Sequence, residues 1–322
     1  MKAIIARGFA PLDELEHGDW PEPAAEGRMV VIEVETAGVN FPDGLLVQGL
    51  YQMKPQTPFV PGMEVAGRVA AVGGEVTSVR PGDRVAALLS LGGYAEKVAA
   101  HEAAVMKLPD GVSGDDACAL LVGYGTAHHA LKQRGVLKPG ETLCVTGAAG
   151  ATGIAAVQIG KAMGATVIGV ASSEDKRRIA AEAGADIVLG YDNLKEALKE
   201  TTGGKGVDVA FDPVGGAAFD VLSRSMAWNG RLLVIGFASG TIPKLPVNLT
   251  LVKGYSVVGV FWGEFTRREP QVYAENMKEL IGWHLSGKVR PVIEGAYPLS
   301  DAPSVLARVL GRDATAKIVL KP

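Results

Sequence analysis

The chain has 322 residues, enough for two ordinary domains and more than a single hydrophobic core usually serves. Its 48% hydrophobic and 21% charged residues lie in the globular range, which excludes a disordered or collagen-like chain. A formal charge of -3 excludes the basic excess of phosphate-tracking proteins, so nucleic acid is not an expected partner.

Up to about residue 110, short β-branched runs (29–34, 65–72, 84–89, 95–98) are broken by turns at Pro61-Gly62, Gly73-Gly74 and Pro81-Gly82-Asp83. This reads as an all-β unit. From about residue 115 the pattern changes to a helix over 115–134, a turn at Lys138-Pro139-Gly140, and then alternating strands and helices. Strands are predicted at 142–146, 166–170, 187–189, 207–211, 231–235 and 256–261, with helices at 153–163, 176–183, 194–201 and 217–227. Near-continuous apolar strands joined by crossover helices make a parallel, doubly wound α/β sheet. A helix over 273–285 and strands at 292–297 and 316–320 lie beyond that pattern and are expected to return to the first domain. The expected division is therefore 1–122, completed by 265–322, and 123–264.

Cys118 and Cys144 are the only cysteines, both in apolar sequence, which fits a reducing compartment. No apolar run approaches ~18 residues and no secretory signal is complete, so no membrane association is expected and the cytoplasm is the expected location.

The strand at 142–146 runs into Gly147-Ala148-Ala149-Gly150-Ala151-Thr152-Gly153 and then an apolar helix. Glycines at 147, 150 and 153 let the backbone turn sharply, approach a pyrophosphate and pack helix on strand, while the helix N-terminus supplies the anion site. The bland alternative is a tight turn without ligand, but the position at the head of a βα series favours a dinucleotide. A reader of a ribose 2′-hydroxyl would be acidic, about 20 residues on. Here the next strand ends in Val170-Ala171-Ser172-Ser173, and Lys176 follows, a set suited to a 2′-phosphate and hence to NADPH. Glu174 and Asp175 fit the first turn of a helix capped by Ser172 or Ser173.

The chain resembles the medium-chain dehydrogenase/reductases and, within them, the zinc-independent quinone oxidoreductases. The resemblance rests on Gly38-Val39-Asn40-Phe41-Pro42-Asp43, Pro61-Gly62-Met63-Glu64-Val65-Ala66-Gly67, Gly82-Asp83-Arg84-Val85, the glycine loop, Gly236-Phe237-Ala238-Ser239-Gly240 and Ala314-Thr315-Ala316-Lys317. It implies a GroES-like β domain beside a Rossmann domain, and a homodimer joined through Rossmann sheet edges, here at 256–261. Zinc-dependent relatives carry a Cys ligand near the position of Asn40 and a His at that of Met63, together with a four-Cys lobe that has no counterpart here. With no metal-ligand spacing elsewhere, no metal is expected. The neighbouring His128 and His129 read as polar helix surface.

Without a metal the alkoxide of alcohol dehydrogenation lacks its usual stabiliser, whereas a hydroquinone anion or an enolate spreads charge by conjugation and needs only hydrogen-bond donors. The resemblance implies Asn40 as a carbonyl donor that also borders the cofactor, Thr126 as a helix-start threonine beside the nicotinamide or its phosphate, and Tyr51 closing over the acceptor or donating a proton. It also implies Gly236, Phe237 and Ala238 with Phe261, Trp262 and Gly263 around the nicotinamide amide, and Tyr191 near the adenosine phosphate. Structural alternatives are a loop-satisfying Asn40, a capping Thr126, a rim Tyr51, a strand-end Tyr191, and core or dimer packing for the aromatics. The turn Asp212-Pro213-Val214-Gly215-Gly216 is read as shape. The expected activity is NADPH-dependent quinone reduction. The alternatives are reduction of an α,β-unsaturated carbonyl or enoyl thioester, and a non-catalytic NADPH-binding structural or regulatory role.

Overall fold

The computed structural model describes all 322 residues. Its strands are β1 (Lys2–Ile5), β2 (Glu16–Asp19), β3 (Met29–Val39), β4 (Glu64–Val72), β5 (Arg84–Leu88), β6 (Lys97–His101), β7 (Val105–Lys107), β8 (Thr142–Thr146), β9 (Thr166–Val170), β10 (Ile187–Leu189), β11 (Val207–Asp212), β12 (Met226–Val234), β13 (Ser256–Gly259), β14 (Ile293–Pro298) and β15 (Lys317–Lys321). They belong to two compact units, one of residues 1–122 with 291–322, the other of residues 123–290.

In the first unit, a mainly antiparallel sheet runs β14-β15-β3-β4-β5-β7, with β6 also paired to β3. The long strand β3 organises it. Its register sets Ala37 opposite Val65 of β4 and Val39 opposite Ile318 of β15, so Gly38 meets Glu64 and Asn40 meets Lys317 at one end of the sheet. The core beneath includes Ile4, Ile32, Val65, Val85 and Leu320. A short helix at Phe41–Val47, absent from the sequence reading, follows β3. Its Pro42 falls in the first turn, where no intrahelical N–H is required, and Asp43 accepts the N–H of Asn40 at 2.8 Å.

The second unit is a parallel sheet in the order β10-β9-β8-β11-β12-β13. Renumbered from β8, this is 3-2-1-4-5-6, the doubly wound order in which the chain reverses direction between the first and fourth strands. Strands β8, β9 and β11 are almost wholly buried, as their unbroken apolar runs require. Of the boundaries that differ from the sequence reading, two change how the chain is divided. The helix expected over 217–227 stops at Ser225, because Met226 pairs with Val207 as the start of β12. The return to the first unit begins at Pro291 and not at 265. The helix Pro270–Leu285 stays with the second unit, where Asn276 exchanges hydrogen bonds with Gln133 and Glu279 meets His128 and Lys132.

Candidate functional site

In the second unit, β8 ends at the reversal point and feeds the glycine loop. Gly147 holds a left-handed φ of 59°, and a Cβ on Gly153 would stand 2.1 Å from the Gly147 carbonyl oxygen. The first turn of the helix Ala151–Ala162 therefore lies directly on the loop backbone, an approach open only to glycine. The first intrahelical bond runs from Ile154 N–H to Gly150 O, which leaves the amides of Ala151, Thr152 and Gly153 as the donors a helix N-terminus offers an anion. Tyr191 docks on the same loop, its hydroxyl oxygen accepting the N–H of Gly147 at 3.0 Å.

Beyond β9, Ser172 and Ser173 are exposed and Lys176 is half-buried. The cap of the helix Glu174–Glu182 is Ser173, whose Oγ accepts Lys176 N–H at 3.3 Å, so its hydroxyl proton remains available to a ligand. Asp175 pairs with Arg178 at 3.1 Å, in keeping with a structural role for the first-turn acids. At the end of β11, buried Asp212 accepts the Thr146 hydroxyl at 2.6 Å and the amides of Val214 and Gly215 at 3.0 and 3.1 Å. Burial pushes its carboxyl above the usual range, and these three donors oppose the shift. The clasp ties β8 to β11 across the reversal point and shapes the 212–216 turn. Against that turn lie Gly236, Phe237 and Ala238, with Ala238 N–H donating to Pro213 O at 3.0 Å.

Other expected contributors lie elsewhere in this unit. Phe261 is exposed, while Trp262 is buried against Gly125 and edge-on to Tyr273. Gly263 follows in the first turn of the helix Trp262–Arg268. Thr126, half-buried, is not at a helix start, because the helical run begins after Ser113, whose Oγ accepts Asp116 N–H. A π-type turn at Leu120–Tyr124 immediately precedes it, a distortion often found at functional positions. His128 and His129, expected as helix surface, are buried. His128 Nε2 meets Glu279 at 2.9 Å and His129 stacks on Phe265. Desolvation drives His128 down to about 4, so the ring is neutral at physiological pH.

The first unit holds a cluster of charged and polar groups within its apolar core. Glu64 is fully buried, and Lys317 is 2% exposed. Lys317 Nζ donates to Val39 O at 2.9 Å, to Asn40 Oδ1 at 2.8 Å and to Glu64 Oε1. Asn40 Nδ2 donates to the same Glu64 oxygen at 2.8 Å, and Glu64 Oε2 accepts Val122 N–H at 3.0 Å. Beside them, buried Asp43 accepts the Tyr94 hydroxyl at 2.9 Å through Oδ2, and its Oδ1 has no partner. Desolvation pushes Asp43 up to about 7, although the Asn40 amide, the Tyr94 hydroxyl and Lys317 act the other way. Half-buried Tyr51 is raised by burial and by the charge of Asp43, so it stays a phenol and a donor.

The sequence reading included Asn40 and Tyr51 but missed Asp43, Glu64, Tyr94 and Lys317. The available signal was a single charge within apolar surroundings, as in Met63-Glu64-Val65 and Ala316-Lys317-Ile318, since such residues are buried only when paired. No group of three or more His, Cys, Asp or Glu side chains anywhere in the chain could hold a metal ion. An ammonium and an amide line this cluster, a donor set that does not fit zinc.

Residues 26–110 match the family model for the alcohol dehydrogenase GroES-like domain, and residues 151–281 match the model described as zinc-binding dehydrogenase. The chain is 40% identical over 296 residues to a quinone oxidoreductase-like protein 2 homolog of Nematostella vectensis, covering 90% of this chain and 81% of that one. It is 33% identical to the human quinone oxidoreductase over 327 residues, covering 99% and 97% of the two chains. The Thermus thermophilus quinone oxidoreductase, solved with and without NADPH, superposes with a TM-score of 0.86 at 35% identity and full coverage of both chains. With this sheet order, this glycine loop and these relatives, the chain is an oxidoreductase that belongs to the quinone oxidoreductase family of the medium-chain dehydrogenase/reductases.

Proposed function

We propose that this protein reduces quinones with NADPH, by hydride transfer to an acceptor whose conjugated system carries the resulting negative charge. The observation that carries the reading is that one chain holds both a glycine loop at the reversal point of its parallel sheet and, in its other unit, an amide and a phenol donor, Asn40 and Tyr51, with no cluster of metal-binding side chains. The names of the relatives support the same substrate class.

NADPH supplies the hydride when bound. The amides of Ala151, Thr152 and Gly153, with Gly147 and Gly150 clearing the approach, would hold its pyrophosphate. Ser172, the Ser173 hydroxyl proton and Lys176 suit a 2′-phosphate, and Tyr191 on Gly147 suits the adenosine phosphate side. Gly236, Phe237 and Ala238, with Phe261, Trp262, Gly263 and Thr126, are assigned to the nicotinamide. Asn40 donates to the acceptor oxygen, Tyr51 borders the acceptor, and solvent delivers the proton. An oxyanion delocalised over a ring needs fixed donors more than a Lewis acid.

We further propose a homodimer formed at the β13 edge. The supporting observations are an edge strand unpaired on one side and exposed apolar residues on the neighbouring β12 and in the segment leading into β13, with Trp228, Ile242, Val247, Leu251 and Val252 each 70% to 82% exposed. Free, buried Cys118 and Cys144 support a cytoplasmic location. No helix is long and apolar enough to cross a membrane.

The test is turnover on a panel of quinones, enones and enoyl thioesters with NADPH and NADH, followed by loss of reduced-nicotinamide absorbance. Quinones with NADPH should give the highest kcat/KM, and Lys176→Glu should erode the preference for NADPH by at least ~10-fold, as expected for loss of one charge-assisted phosphate contact. Turnover confined to enones or thioesters would overturn the substrate assignment. Tight NADPH binding with no turnover on any acceptor would overturn the enzymatic one.

A further inference from the structure

The Asn40 side chain can be held in only one orientation. An ammonium only donates and a carboxylate only accepts, so Oδ1 must face Lys317 and Nδ2 must face Glu64, as the contacts of 2.8 Å on each side require. One Nδ2 hydrogen is spent on Glu64, and no protein acceptor takes the other. Asn40 is also the least buried member of the triad, at 8% exposure against 0% for Glu64 and 2% for Lys317. The sheet builds this arrangement deliberately. Gly38 has no side chain, and a Cβ there would stand 2.2 Å from Glu64 Oε1, so glycine makes room for the carboxylate beneath the amide.

We propose that Lys317 is a positioning residue of the reduction site, its ammonium gripping Asn40 Oδ1 so that the remaining Nδ2–H is both aimed at the acceptor oxygen and strengthened as a donor. A cation on the oxygen of an amide draws electron density from its nitrogen, and chained hydrogen bonds reinforce one another in a low-dielectric interior. Glu64 neutralises the buried ammonium and pins the other amide hydrogen, so the donor is fixed before substrate arrives. The inference rests on the reading that Asn40 donates to the acceptor.

Lys317→Met alone would strand the Glu64 charge in the core and endanger folding. The informative variants are Glu64→Gln, Lys317→Met/Glu64→Gln and Asn40→Ala, alone and combined, each followed by thermal melting, NADPH titration and steady-state kinetics on a quinone. Asn40→Ala should lower kcat ~10²-fold with NADPH affinity unchanged, the scale of losing one oxyanion donor. Lys317→Met/Glu64→Gln should fall ~10-fold in kcat below Glu64→Gln, also with NADPH affinity unchanged, because only the aim and strength of the donor change. Adding that pair to Asn40→Ala should cost nothing more. A folded double variant with the kcat of Glu64→Gln, or losses that multiply with Asn40→Ala, would overturn the positioning role while leaving the donor reading intact. An unchanged kcat in Asn40→Ala would instead sink the donor reading, and the inference with it. If the Met variant does not fold, Lys317→Leu/Glu64→Gln removes the same donor and charge and is judged by the same comparisons.

Discussion

Gly153→Ala puts the glycine loop to its sharpest test. The added methyl would stand 2.1 Å from the Gly147 carbonyl oxygen and 2.8 Å from its carbon, both main-chain atoms that no rotamer change can move. Ordinary contact begins near 3.4 Å, so helix and loop must part by about 1.3 Å. Stability should drop only modestly, since overpacking of ~1–3 kcal/mol is partly offset by the ~1 kcal/mol by which Ala outranks Gly within a helix. Binding should suffer far more, because the same displacement moves the amides of Ala151 and Thr152 away from the pyrophosphate. Losing one charge-assisted hydrogen bond of about 1.5–3 kcal/mol raises Kd by ~10- to 10²-fold. Titration calorimetry with NADPH, beside a thermal melt of the free protein, separates the two effects. A folded Gly153→Ala protein with wild-type NADPH affinity would refute the assignment of the loop.

Two further outcomes are expected. Asp43 rises from 3.8 to about 7, a difference of about three pH units that at about 1.4 kcal/mol each amounts to ~4 kcal/mol. A raised folded-state value means that the contribution is fully present below pH 3.8 and is lost as pH rises through 7. Asp43→Asn should therefore gain stability relative to wild type between pH 5 and pH 8 in urea melts, and a difference independent of pH would contradict the burial argument. For the dimer, Leu251→Glu/Val252→Glu places two charges on the exposed helix Asn248–Lys253, which buries none of its residues, and should convert the protein to monomers in light scattering. An unchanged dimer would locate the interface elsewhere.

The Rossmann half was the more legible because its signals are local. The expected strands at 142–146, 166–170 and 187–189 coincide with β8, β9 and β10, where unbroken apolar runs leave no competing periodicity. The Gly147–Gly153 spacing could likewise be read within seven residues. The helix Pro270–Leu285 was visible, but amphipathic periodicity does not say which core receives the apolar face, so the return at Pro291 was placed too early. The helix Phe41–Val47 was hidden by Pro42 and Gly44, residues that read as turn unless the first-turn tolerance for proline is invoked. The donor cluster was the least legible. Lys317 lies 253 residues from Glu64 and 277 from Asn40, and only the joint register of β3, β4 and β15 brings them together. A lone charge in an apolar run signals that a partner must exist without saying where.

The place of β15 between β14 and β3 sets an order of assembly during translation. The continuous stretch 123–290 can close its own sheet soon after it leaves the ribosome. The segment 1–122, although made first, must wait with the Ala37–Val39 end of β3 unpaired on the side that β15 takes, and with Glu64 without its counter-charge, until residue 321 has been synthesised. Nascent chains are thus exposed longest at the half made earliest, and a chaperone that shields that waiting edge would do more for yield than one acting on the later half.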